Sequence, residues 1–79
     1  MQFIDILRTQ NTENFIQVEE YNPSMPNKRT GIMKVGNITW KQLRRFEYKN
    51  VCNITPCVKG DKKYLFIMVD DKEKSFYKR

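Results

Sequence analysis

The side chains that could do chemistry in this sequence are mainly cations, and they are concentrated in its middle. Ten of the fifteen Lys and Arg residues lie between Lys28 and Lys63, where only two acids, Glu47 and Asp61, occur. The first 27 residues carry four acids against one base, so the charge changes sign near Lys28. Because summed charge governs association, this segregation predicts a positive surface and an anionic partner.

The residue types that most enzymes need are missing or scattered. The chain has no histidine, which removes the usual general base, metal ligand and triad partner. Its three glycines form no phosphate-binding loop. Asp70-Asp71-Lys72 loosely matches the acidic end of metal-dependent nucleases, but a metal site needs several converging oxygens. We therefore expect no enzymatic activity, no cofactor and no metal site, and keep a nuclease as the weakest alternative.

The cations fall in three stretches that could form one surface. One lies in a loop after two prolines, one on a helix, and one at a tight turn near Gly60. Guanidinium and ammonium groups bind phosphate oxygens and release counterions. The residues that we expect to contact a nucleic acid or another anionic partner are Lys28, Arg29, Lys34, Lys41, Arg44, Arg45, Lys62 and Lys63.

The elements before the helix are predicted to be strands. The short apolar segment Gln2–Arg8 predicts a first strand, and the alternation in Phe15–Tyr21 predicts a second that pairs with it as a hairpin. Two prolines make residues 22–27 a loop. Gly31–Val35 is expected to form a third strand.

The helix has the clearest local signals. Thr39 and Gln42 have the spacing of a capping box, which predicts a helix from Trp40 to Lys49 with Asn50 as a left-handed terminator. Apolar residues recur every three positions from Trp40, which predicts one core-facing stripe with the cations behind it. Burial of Trp40 would make its truncation to alanine cost about 3–5 kcal/mol.

The last third of the chain predicts an antiparallel meander. Its strands are expected at Val51–Val58, Lys63–Val69 and Lys74–Tyr77. Alternate residues of Tyr64–Val69 are apolar on both faces, so one face packs on the helix while the other needs a partner subunit or stacked bases. Cys52 and Cys57 are expected to be free, buried thiols.

These elements predict one α+β domain over residues 1–79. The sheet is expected to be antiparallel with five or six strands, in the order β-β-β-α-β-β-β, and one amphipathic helix packs on one face. The predicted core consists of Ile4, Ile16, Val18, Ile32, Trp40, Leu43, Phe46, Leu65, Ile67 and Val69.

The sequence favours a small non-enzymatic nucleic-acid-binding protein that is tolerant of base sequence. The alternative is a protein that docks on an acidic host or defence protein and inhibits or modulates it; a homodimer is also compatible. Six residue types with AT-rich codons make up 37 of the 79 residues, which favours a phage or mobile element as the source. No apolar run reaches the roughly 18 residues that a membrane span needs, so we expect a cytoplasmic location, in the host if the protein is viral.

Overall fold

A computed structural model of the chain describes residues 1–70. The predicted strand Lys74–Tyr77 and the pair Asp71-Lys72 lie outside the described residues. Within residues 1–70, no helix is long and apolar enough to cross a membrane. The elements are the helices α1 (Phe3–Leu7) and α2 (Trp40–Phe46), a 3₁₀ turn (Val35–Asn37), and the strands β1 (Phe15–Tyr21), β2 (Lys28–Arg29), β3 (Met33–Lys34), β4 (Val51–Lys59) and β5 (Lys62–Asp70).

The protein has the predicted α+β class, but its sheet is mixed and not antiparallel. The described strands follow the order β2-β1-β5-β4, and β3 pairs with the same edge of β1 as β2. β5 runs parallel to β1, which places Phe15 beside Tyr64 and Val18 beside Ile67. A strand that is apolar on both faces suits this central position, because both of its faces are shielded by neighbours.

Residues 2–8 form a helix where the sequence predicted a strand. The Asp5 carboxylate accepts a hydrogen bond from the Gln2 backbone N–H at 3.0 Å, which helps to satisfy the start of α1. Phe3 and Ile6, about one helical turn apart, are both buried. The strand prediction was wrong because the apolar composition of a segment this short fits a helix as well as a strand.

Both helices pack on one face of the sheet, where the core lies. The Phe3 and Phe46 rings meet edge to face, with centroids 5.6 Å apart. Of the predicted core residues, Ile4, Ile32, Leu43 and Leu65 are only half-buried, and Trp40 is exposed. The buried apolar residues are Phe3, Ile6, Ile16, Val18, Phe46, Ile67 and Val69.

The capping box that begins α2 is confirmed, whereas the predicted end of the helix is wrong. The Thr39 N–H donates to Gln42 Oε1 at 3.0 Å, and the Gln42 N–H donates to Thr39 Oγ1 at 3.1 Å. The helix ends at Phe46, three residues before the predicted end at Lys49. Asn50 does not have a positive φ and instead forms an isolated bridge with Gln2.

Trp40 is 79% exposed, which contradicts its predicted place in the core. At 3.6 residues per turn, each step of three residues rotates the side chain about 60° around the helix axis. Trp40 and Phe46 are two such steps apart and so point about 120° away from each other. Phe46 faces the core, and Trp40 therefore faces solvent.

Trp40→Ala is accordingly expected to change the free energy of unfolding by less than about 0.5 kcal/mol. Phe46→Ala serves as the comparison and should cost about 3–5 kcal/mol, because its ring is 3% exposed. Urea denaturation of both variants checks this pair. A loss above 2 kcal/mol in Trp40→Ala would contradict the packing described above.

β4 lies at the edge of the sheet and is irregular. Its register with β5 shifts between Val51 and Asn53, and Pro56 sits within the strand, as an edge position permits. Cys52 and Cys57 are free thiols, as predicted. Their predicted burial is wrong, since Cys52 is exposed and Cys57 is half-buried on this edge strand.

The turn between β4 and β5 depends on a glycine. Gly60 has φ of 64°, a left-handed conformation that costs an L residue about 1–2 kcal/mol. We expect Gly60→Ala to lower the free energy of unfolding by that amount. Gly31→Ala is the control, because a methyl group there meets no atom within 4 Å, and it should change stability by less than about 0.5 kcal/mol. Equal effects in thermal denaturation would count against the turn geometry.

Candidate functional site: the open face of the sheet

The second face of the sheet is the candidate site, because both α-helices pack on the other one. Residues of β1 and β5 alternate between the two faces, as strand geometry requires. The side chains on the second face are only half-buried where the core face is fully buried. We call this surface the open face; it comprises Phe15, Gln17, Glu19, Arg29, Lys34, Lys59, Lys62, Tyr64, Phe66 and Met68.

Three aromatic rings lie together on the open face. The parallel register places Phe15 beside Tyr64, and Phe66 follows two residues later on β5, about 6.6 Å along the strand. Lys62 Nζ lies 4.7 Å from the Phe15 ring centroid, and the Arg29 guanidinium lies 5.6 Å from that of Phe66. The sequence predicted outward rings at Tyr64 and Phe66, and the register of β5 agrees with that expectation.

Cations and polar groups surround a depression beside these rings. The depression has a volume of about 450 Å³ and is lined in part by Gln17, Arg29, Lys59, Lys62 and Tyr64. Three of these five side chains are positively charged, and two can donate or accept hydrogen bonds without a charge. The arrangement suits a phosphate group held next to an aromatic ring.

The Tyr64 phenol remains neutral in this setting. Partial desolvation raises the pKa of Tyr64 above its ordinary value, and the neighbouring Cys57 thiol raises it further. The Arg29 guanidinium opposes this effect by lowering the pKa. A neutral phenol offers a ring face for stacking and a hydroxyl group for hydrogen bonding, with no negative charge to repel an anion.

Two adjacent glutamates in β1 hold several of the basic residues in place. Glu19 faces the open side, and its Oε1 accepts from Arg29 Nε at 2.7 Å while Asn27 donates to Oε2 at 2.8 Å. Glu20 faces the core side and pairs with Arg45 Nη2 at 2.7 Å and Lys49 Nζ at 3.7 Å. Both carboxylates have less than 10% exposure, so these pairs are built into the fold.

This pairing reduces the positive surface that the sequence predicted. Arg45 joins α2 to β1 and is a structural cation. Arg29 keeps 58% of its side chain exposed, and its guanidinium retains donors that do not face Glu19. Lys34 pairs with the exposed Glu13 at 3.1 Å, a contact that water and salt weaken. Lys59 and Lys62 form no ion pair within residues 1–70.

The eight predicted contact residues therefore do not form one surface. Arg29, Lys34 and Lys62 lie on the open face, whereas Arg45 points to Glu20. The others are exposed elsewhere: Lys41 and Arg44 on α2, Lys28 at the sheet edge opposite Glu20, and Lys63 at the hairpin on the other side of β5 from Lys62. The charge count could not show that acids of the first segment pair with bases of the second across β1.

Three members of the site were missed from the sequence. Phe15 and Gln17 join it through the parallel pairing of β1 with β5, which no local pattern signals. Lys59 was predictable, since a two-residue turn at Gly60-Asp61 places it opposite Lys62.

The described part of the chain offers no other obvious chemistry. In residues 1–70, no group of three or more Cys, Asp or Glu side chains is placed to hold a metal ion. In comparisons with known proteins, no protein-family model, no curated protein and no solved structure matches the chain.

Proposed function

We propose that this chain is a small non-enzymatic protein that binds single-stranded nucleic acid on the open face. The observation that supports the proposal is the grouping of Phe15, Tyr64 and Phe66 with Arg29 and Lys62 on one uncovered sheet surface. Flat surfaces with aromatic rings beside cations bind single strands by stacking bases and contacting phosphates.

Each part of the open face has a role in this proposal. A base stacks on the Tyr64 ring, over which no cation lies within the described residues, and a second base replaces the flexible Lys62 side chain over Phe15. Lys59, Lys62 and the exposed donors of Arg29 then bind the adjoining phosphates. Because every base has a π face, this mode tolerates different base sequences.

The ion pairs of the structure change the expected salt dependence. The sequence predicted a steep fall in affinity with salt, but two or three cations of the open face are available to phosphates. For single strands the log–log slope is about −0.7 per phosphate neutralised, which gives about −1.4 to −2.1 here. Stacking therefore supplies a larger share of the affinity than the net charge of +6 suggests.

Fluorescence anisotropy with a labelled oligonucleotide tests the proposal. We expect the single strand to bind more tightly than the same sequence in a duplex, because paired bases do not offer their faces to the rings. The slope with salt should lie in the range given above. Equal binding of strand and duplex, a slope steeper than about −4, or no binding at low salt would each refute it.

A further inference from the structure

The outer side of α2 carries a second surface that the open face does not explain. Trp40 is 79% exposed, Arg44 follows one helical turn later, and Tyr48, just after the helix, is 64% exposed. Lys41 lies beside them and is also exposed. We call these four residues the outer stripe. Neither Lys41 nor Arg44 forms an ion pair with any residue in the range 1–70.

The outer stripe lies on the opposite side of the molecule from the open face. Phe46 and Arg45 of the same helix point to the core face of the sheet, where Phe46 packs on Phe3 and Arg45 pairs with Glu20. Residues on the reverse of α2 therefore point away from the sheet. A strand bound to the open face leaves the outer stripe accessible.

We propose that the outer stripe docks an acidic segment of another protein, with Trp40 as the apolar anchor. Trp, Tyr and Arg are the residue types that supply most of the binding energy in protein interfaces. An indole this exposed costs free energy in water that a partner's apolar side chain recovers. The two unpaired cations fit carboxylates placed around that anchor.

Charge and shape argue against the other occupants. A second copy of this chain carries the same net charge of +6 and is repelled. A nucleic acid would find two cations and two rings, with the rings about 12 Å apart along a convex helix. That spacing does not offer the continuous stacking surface found on the open face.

Selection from a library of displayed random 12-residue peptides tests the proposal. Immobilised wild-type protein captures the peptides, and binders are then removed that also bind Trp40→Ala protein. Enriched peptides are synthesised and titrated against the protein, with the emission of its single tryptophan as the readout. Tyr64→Ala protein is the matched control, because it alters a ring on the open face and leaves the outer stripe intact.

The expected result is enrichment of peptides rich in Asp and Glu that contain an apolar residue. Their affinity should fall at least tenfold in Trp40→Ala and in Arg44→Glu, and should not change in Tyr64→Ala. Neutral or basic binders, no enrichment, or equal affinity for the Trp40 variants would overturn the proposal. So would a dimer that Trp40→Ala dissociates, or a single-stranded oligonucleotide that displaces the peptide and quenches Trp40.

Discussion

Replacement of Glu20 with glutamine is expected to lower the free energy of unfolding by about 3 kcal/mol. The change removes the carboxylate that pairs with Arg45 and with Lys49, whose side chain is 5% exposed. Removing one partner of a buried ion pair typically costs 3–5 kcal/mol, and the half-exposed Arg45 can be rehydrated, which places this case at about the lower end. In a domain of this size the loss lowers Tm by more than about 10 °C.

Glu13→Gln is the matched control for this prediction. It removes the same charge from the same strand region, but its partner Lys34 and the carboxylate itself are both exposed. An exposed pair of this kind contributes about 0–1 kcal/mol. Calorimetric scans of the two variants and the parent measure the difference. If Glu20→Gln proves as stable as Glu13→Gln, the buried network does not hold α2 against β1.

Tyr64→Ala is expected to weaken binding of a single-stranded oligonucleotide by about 5- to 150-fold. Removing an aromatic ring on which a base stacks costs about 1–3 kcal/mol of binding free energy. Tyr64 lies between Phe15 and the depression that holds Lys59 and Lys62, so its ring is central to the proposed path of the strand. Anisotropy titration at fixed salt measures the loss.

Three further variants separate stacking from charge and from damage to the fold. Tyr64→Phe keeps the ring and should keep most of the affinity, whereas Lys62→Gln should reduce the log–log salt slope by about 0.7. Lys41→Gln removes a cation from the outer stripe and should leave the slope unchanged. Circular dichroism first establishes that each variant is folded. A loss in Tyr64→Phe as large as in Tyr64→Ala would argue against stacking.

Local signals in the sequence predicted the elements better than their pairing. The alternation in Phe15–Tyr21 and the capping box at Thr39 specify local backbone geometry, and both predictions are confirmed. The parallel pairing of β1 with β5 joins residues about 50 positions apart, and no short-range pattern encodes it. The antiparallel sheet was therefore the part of the fold that sequence reasoning got wrong.

The candidate site was predictable only in its composition. The two-sided apolar pattern of Tyr64–Val69 correctly indicated rings on the outward face of β5. The charge count indicated a basic segment, but Glu19 and Glu20 use two of its arginines to hold the fold together. Which cations remain available depends on the side of β1 from which each one approaches, and charge counting contains no such information.

The most direct test of the open face is a map of backbone amide chemical shifts. An isotope-labelled sample is titrated with a single-stranded oligonucleotide of about eight nucleotides, a length within the usual site size of small sheet folds. We expect the largest shift changes at Phe15, Gln17, Lys62, Tyr64 and Phe66, with little change at Trp40 or Arg44. Changes confined to α2, or none at saturating oligonucleotide, would contradict the proposed binding surface.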